Sequence, residues 1–356
     1  MTPQKHTMEG EPTMKTFLLP ESGSFYKANL HCHTTLSDGR KTPEEIKELY
    51  RSHGYSVVAF TDHDILIAHP ELADEHFLPL NGFEAEVNES KDCGMQARKT
   101  CHLCFVSLDP DNLTMPFYHR ERYLFGNAPN YRDQLKFDES KPDFVRSYTP
   151  ECINEMIALG RENGFFVTYN HPTWSLEDYP DYTSYRGLNA MEICNYSCAA
   201  GGCLEFNQRV YDDMLRANGP LFCLATDDNH NVHPQTSGHW DSFGGFVMIK
   251  AEELSYKAIA KALSDGSFYA STGPRIHNLW VENGRLHLTC SGASKINLNT
   301  GRRRFAAAYS QDGELLERAS FALSPEDIYF RVTITDPRGY TAYTQAYFLD
   351  NLPDLF

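Results

Sequence analysis

The segment Asn29–Gly39 reads N-L-H-C-H-T-T-L-S-D-G, and one predicted helix later the chain runs A-F-T-D-H-D to Asp64. His31 and His33 alternate with Leu30 and Cys32, so on a β-strand both imidazoles leave the same face. Two imidazoles on one face suit a borderline-soft divalent ion such as zinc, manganese or iron. Asp38 follows in a Ser-Asp-Gly turn, close enough to face the same site. Alone, an H-x-H would be read as polar residues on a surface strand. Here it has company.

The elements that must carry these residues repeat. Thr42-Pro43-Glu44-Glu45 is a capping box with proline at the first helical position. Ile46, Leu49 and Tyr50 supply an apolar stripe, Gly54 ends the helix, and the short strand Val57–Phe60 leads into Thr61-Asp62-His63-Asp64. The same order recurs from Thr149-Pro150-Glu151, with Ile153, Met156 and Ile157 on the helix, a stop near Gly164, and strand Phe165–Tyr169 before Asn170-His171-Pro172. It recurs again from about Asn207, with a stop at Gly219 and strand Leu221–Ala225 before Thr226-Asp227-Asp228-Asn229-His230. Each copy places acids and imidazoles just past the C-terminal end of a strand, where α/β barrels and open α/β sheets keep their chemistry. Repeated β-α units with near-continuous apolar strands predict a mostly parallel barrel. Gly82-Phe83-Glu84 and the strand beginning at His102 add two further strand-end candidates. The full set is His31, His33, Asp38, His63, Glu84, His102, His171, Asp228 and His230.

The chain has 356 residues with 32 basic and 48 acidic side chains, a formal charge of −16. Such a surface disfavours long nucleic acid and anionic membranes, and a small substrate is expected instead. No apolar run is long enough to span a bilayer. Residues 1–24 are expected to form a polar tail without a secretory-type apolar core. Cys32, Cys104, Cys194 and Cys223 fall inside predicted strands as buried thiols, and Cys101-His-Leu-Cys104 has no second C-x-x-C to complete a structural zinc site. A reducing cytoplasm is the expected compartment; the oligomeric state is left open.

Residues 110–148 interrupt the repeat with a polar, aromatic insertion that reads as a lid, a binding segment or a solvated excursion. Its arginines Arg120, Arg122 and Arg146 are candidate phosphate-binding residues, because arginine grips phosphate bidentately. After residue 275 the pattern changes to period two, with turn signals at Asn283-Gly284, Asp312-Gly313 and Arg338-Gly339. Residues 276–356 are expected to form a small antiparallel β-sandwich-like domain, in which Arg302-Arg303-Arg304 reads as a solvated turn.

Taken in order, H-C-H-T-T-L-S-D-G, T-D-H-D, G-F-E, an isolated strand histidine, N-H-P and D-N-H resemble the PHP (polymerase and histidinol phosphatase) superfamily over about residues 25–275. The resemblance implies a distorted (β/α)7 barrel holding two or three divalent metal ions (Mn, Zn or Fe). It assigns His31, His33, Glu84 and Asp228 to one ion, with Glu84 bridging to a second held by His102 and His171. Asp38, His63 and His230 would hold a third. The usual Ser-Asp-x-His ending is replaced here by Thr226-Asp227-Asp228-Asn229-His230, so Asp227 competes with Asp228, as Glu86 competes with Glu84.

The resemblance further implies a metal-dependent phosphoesterase, in which metal-bound hydroxide attacks a small phosphorylated metabolite, a nucleotide or a sugar phosphate. Glu84, His63 and Asp228 would be the central catalytic residues. Asp62 and Asp64 are expected to orient or cap rather than ligate. The alternatives are an exonuclease or oligonucleotide phosphodiesterase, an amide or lactone hydrolase, and a non-catalytic metal-binding protein.

Overall fold

Thr42 caps the first helix, Pro43–Arg51, reciprocally: its Oγ accepts from Glu45 N at 3.3 Å, and the Glu45 carboxylate accepts from Thr42 N at 2.9 Å. The helix buries Ile46 and Tyr50 and hands the chain to the fully buried strand Val57–Phe60. Thr149 caps Pro150–Glu162 ahead of Phe165–Asn170, and Gln208–Asn218 ends at Gly219, φ 84°, ahead of Phe222–Thr226. All three predicted helix–strand units therefore form. The structure, a computed structural model, describes residues 15–90, 94–352 and 355–356; the first fourteen residues of the tail expected over 1–24 lie outside the described residues.

The molecule is mixed α/β, with a large mixed sheet and a second, antiparallel sheet. In the large sheet the order is Phe222–Thr226, Ala190–Asn195, Phe165–Asn170, Thr100–Ser107, Leu78–Asn88, Val57–Phe60, Ser24–Asn29, Phe246–Ala251 and Phe268–Ser271. The repeats predict a mostly parallel sheet, but its pairings are divided between parallel and antiparallel. Thr100–Ser107 runs antiparallel to both neighbours, and Phe246–Ala251 does the same. For Leu78–Asn88 and Thr100–Ser107 connection length is the reason: the link between them is shorter than the dozen or so residues, usually with a helix, that a parallel crossover requires.

At the polar end of this sheet the first and last motifs lie side by side. Cys32 and Asn229 form an isolated parallel bridge, His33 N donates to Asn229 O at 3.1 Å, and Asp228 N donates to His31 O at 3.0 Å. The backbone ladder does not join Phe222–Thr226 to Phe268–Ser271 directly.

The large sheet continues from Phe268–Ser271 through Thr341–Tyr343 and Tyr329–Thr335 to Lys295–Thr300 and Phe305–Tyr309. Ile276–Glu282, Arg285–Ala293 and Leu316–Ala322 form the second sheet, and Lys15–Phe17 adds its outer strand. Residues 15–17, placed within the polar tail on sequence grounds, are thus a pairing strand, and Leu19 just beyond is buried. The facing sides of the two sheets share one apolar cluster, in which Leu279, Val281, Leu286 and Leu288 join Ile296, Leu298, Phe330 and Val332. Ile46, Tyr50, Val58 and Phe60 belong to the same cluster, so the C-terminal strands and the first β-α unit share a core. In the basic triplet expected as a solvated turn, Arg302 and Arg303 are exposed, while Arg304 is part-buried and tied to Asp327 and Ala322 O. Among the described residues no helix is long and apolar enough to cross a membrane.

Candidate metal centre

Glu84 is the hub. Its buried carboxylate has five imidazole nitrogens around it: His102 Nδ1 at 3.1 Å, His31 Nε2 at 3.2 Å, and His171, His33 and His63 at 3.4 Å each. The strand Leu78–Asn88 carries it, with an isolated bridge to His63 in which Asp64 N donates to Glu84 O at 2.8 Å. Glu86 occupies the same face two residues on, beside His102 Nε2 at 3.5 Å, and is part exposed. Position along the strand thus makes Glu84 central and Glu86 peripheral.

All nine sequence-picked residues converge. Three groupings bring ligand atoms within 4.8 Å of one another: His31, His33 and Glu84; Glu84, His102 and His171; and His33, Asp38, His63 and His230. Asp228 Oδ1 stands 3.2 Å from His31 Nε2 and 3.1 Å from His33 Nε2, and those two nitrogens are 3.1 Å apart. His33 reaches toward both sides: its Nε2 faces Asp228 and Glu84, its Nδ1 faces Asp38 at 3.6 Å.

Whether these residues fit metal ions can be tested on their unpaired atoms. His33 Nδ1, His63 Nδ1 and Asp228 Oδ1 are buried without a hydrogen-bond partner. A buried polar atom left unpaired is costly, and three in one cluster of nitrogens and carboxylate oxygens mark a place built for cations. The donor set is N and O without thiolate, which suits Zn²⁺, Mn²⁺ or Fe²⁺. The electrostatics agree. Burial disfavours the charged form of both His31 and His33, yet Asp228 and Glu84 hold both imidazoles well above their usual range. Burial also opposes the charged form of Glu84, but His31, His102 and His63 hold it well below the carboxylate range. His63, buried beside His33, is instead pushed down to about 3.

The choice between Asp227 and Asp228 is made by hydrogen bonds. Asp227 accepts from Phe243 N at 2.7 Å, from Gly244 N and Gly245 N at 2.9 Å, and from Tyr50 Oη at 2.8 Å. Both its oxygens are committed to shaping the 243–245 turn. Asp228 takes φ 52°, and that left-handed turn aims its carboxylate back at His31 and His33. His171 (φ 28°) and Asp64 (φ 58°) are likewise left-handed, so three strand-end residues here occupy a sparsely populated backbone region.

Several positioning residues had weaker signals in the sequence. Glu192, an acid midway along the apolar strand Ala190–Asn195, accepts from His31 Nδ1 at 2.8 Å, His171 N at 2.9 Å and Thr226 Oγ1 at 2.5 Å. A neutral His31 that donates from Nδ1 to Glu192 would turn its Nε2 lone pair toward a cation in the site. Asp62 accepts from Thr34 N, Thr34 Oγ1 and Ser37 Oγ, locking the loop between His33 and Asp38. That orienting role is the one its place beside His63 suggested.

The candidate arginines do not converge with the metal-type residues. Arg120 pairs with Asp143 at 2.6 Å and lines a separate cavity of about 240 Å³ in the insertion. Arg122 is absent from the lining of the pocket above the histidines. Arg146 comes nearer, but its buried guanidinium grips Asp64, donates to Glu86 O at 2.9 Å and lies over the Tyr123 ring. No free fork remains to clamp a phosphate.

No protein-family model matches the chain, and no curated protein matches it. Among solved structures it is similar to a two-domain protein containing a predicted PHP-like metal-dependent phosphoesterase from Bacteroides vulgatus, at 14% identity over 95% of this chain and 100% of that one, TM-score 0.42. It is similar to a proposed metal-dependent phosphoesterase from Bifidobacterium adolescentis, at 18% identity over 62% of this chain and 91% of that one, TM-score 0.37. It is also similar to an amidohydrolase from Chromobacterium violaceum, solved with sulfate and no metal, at 15% identity over 57% of this chain and 87% of that one, TM-score 0.36.

Proposed function

We propose that the protein is a metal-dependent phosphoesterase of PHP type that hydrolyses a small phosphorylated metabolite, a nucleotide or a sugar phosphate. The observation that carries this reading is Glu84, one buried carboxylate shared between the His31/His33 side and the His102/His171 side. A carboxylate can divide its two oxygens between neighbouring cations. His31, His33, Glu84 and Asp228 would hold one divalent ion, Glu84, His102 and His171 a second, and Asp38, His63 and His230 a third. Ions held there would supply Lewis acidity toward phosphoryl oxygens and an activated water.

The chain's own residues then have definite tasks. Glu192 and Asp62 orient the ligands, Asp227 shapes the turn beside Asp228, and a pocket of about 400 Å³ opens above them. That volume suits a small molecule. The Cys32–Asn229 bridge supports reading the large sheet as a distorted (β/α)7 barrel. The nine described cysteines, all unpaired, support a reducing compartment.

Phosphate release from a panel of small phosphoesters, run with Mn²⁺-loaded protein, tests the reading. Release that disappears in His63→Ala and Asp228→Asn, together with a lower metal stoichiometry in both variants, is the expected result. A metal-replete protein that releases no phosphate would sink it and direct attention to amide or lactone substrates.

A further inference from the structure

Two half-exposed aromatic rings stand over the metal-type residues. Phe125 and Trp174 are each 50% exposed and both line the pocket. Phe125, from the insertion, meets the His63 ring edge-on at 5.6 Å between centroids. Trp174, from the turn after His171, meets His171 at 5.0 Å and His102 at 5.5 Å, again edge-on. The rings therefore flank opposite sides of Glu84, one beside the Asp38/His63/His230 group and the other beside the His102/His171 pair.

Neither ring is held loosely. Asn127, two residues beyond Phe125, donates its N to Ser37 O at 2.7 Å and its side chain to Thr35 O at 3.1 Å. Gly126 passes so close to Ser37 O that a Cβ would sit 2.3 Å from it. Trp174 N donates to Glu205 Oε2 at 2.7 Å, and Thr173 N donates to Glu205 Oε1 at 3.2 Å. Rigid backbones that keep large apolar faces in water point to a partner that covers those faces. Among the described residues no lysine or arginine lines this pocket, while Asp38, Glu84, Glu86 and Asp228 do. A substrate carrying a second phosphate away from the metal-type residues would meet no countercharge.

We propose that Phe125 and Trp174 form a leaving-group subsite for a flat, uncharged unsaturated ring, so that the substrates are phosphomonoesters of ring-bearing alcohols such as nucleosides. The proposal rests on the phosphoesterase reading above. Water adds to phosphorus, the bond from phosphorus to the alcohol oxygen breaks, and that oxygen leaves with a proton. The ring is what the aromatic walls recognise, since stacking on an aromatic face is available to any flat π-system.

Adenosine 5′-monophosphate and ribose 5-phosphate share the same primary ester and differ in the base, so their kcat/KM ratio isolates the subsite. A ratio of about tenfold or more is expected. It should fall toward one in Trp174→Ala and Phe125→Ala and keep an intermediate value in Trp174→Phe, with bound metal unchanged. Adenosine itself, with no phosphate, should quench the tryptophan fluorescence saturably, and Trp174→Ala should abolish the quench. Equal hydrolysis of both esters would overturn the ring subsite and leave the phosphoesterase standing. Quenching with no hydrolysis of either ester would support the ring subsite and overturn the phosphoesterase. Neither signal would overturn both.

Discussion

The side-chain amide of Gln345 bonds both backbone groups of Cys223: Cys223 N donates to Oε1 at 2.7 Å, and Nε2 donates to Cys223 O at 3.2 Å. The same Nε2 reaches Phe268 O at 3.2 Å, so one buried glutamine spans the gap where the strands holding Cys223 and Phe268 are not directly paired. Nearby, Arg331 pairs with Asp212 through Nε at 2.9 Å and Nη2 at 2.8 Å. The C-terminal region is therefore bonded to the strand that ends just before Asp228.

Gln345→Leu should remove these bonds without leaving a large void, stranding Cys223 N and O and Phe268 O in the core. Unsatisfied buried groups cost about 1–3 kcal/mol each, and partial relaxation brings the expected loss to about 2–4 kcal/mol. Urea denaturation measures it. A Mn²⁺ titration of the folded variant should also show weaker binding, because the strand leading to Asp228 has lost its lateral support. Unchanged stability would mean that the seam is held by packing alone.

Arg146 separates a structural role from a substrate clamp. Removing it in Arg146→Met leaves Asp64 buried without its partner, and breaking a buried pair in this way costs about 3–5 kcal/mol. The expected signature is a lowered Tm, with KM for phosphoesters little changed in the protein that remains folded. A normal Tm with a raised KM would restore the clamp.

Glu177 predicts a pH dependence of stability away from the metal-type residues. Its carboxyl accepts from Tyr148 Oη at 2.7 Å, Tyr169 Oη at 2.5 Å and Tyr185 Oη, yet burial pushes its pKa from 4.5 up to about 7. The folded state holds this proton more tightly than the unfolded chain does. Its stabilisation is thus complete below pH 4.5 and is lost as pH rises through about 7. The stability of wild type relative to Glu177→Gln should fall by about 3 kcal/mol across that window. Parallel stability–pH curves for the two proteins would refute the assignment.

Asp227 and Asp228 should behave differently on metal removal. Chelation is expected to lower the Tm of wild type, and added Mn²⁺ to restore it, since an ion bound only by the folded state stabilises by mass action. Asp228→Asn should blunt that response. Asp227→Asn should lower Tm both with and without metal, because its side-chain NH2 would face the backbone donors of the 243–245 turn. Identical responses to Mn²⁺ in wild type and Asp228→Asn would remove Asp228 from the ligand set.

Much of the site was legible in the sequence because its signals are local. The cap at Thr42, the alternation of His31 and His33, the wholly apolar strand Val57–Phe60 and the acids past each strand end are set by neighbours within a few residues. Such local patterns single out all nine converging side chains. Tertiary structure decided what depends on residues far apart in the chain. The four donors around Asp227, the orienting carboxylate of Glu192, the antiparallel pairing of Thr100–Ser107 and the strand at Lys15–Phe17 all belong to that group. So do the two aromatic walls and the commitment of Arg146 to Asp64. Residue type and spacing state what chemistry a side chain can do. Which of two adjacent carboxylates is free to do it depends on which hydrogen-bond donors folding brings to each, and those come from helices, strands and turns that no short-range pattern can specify.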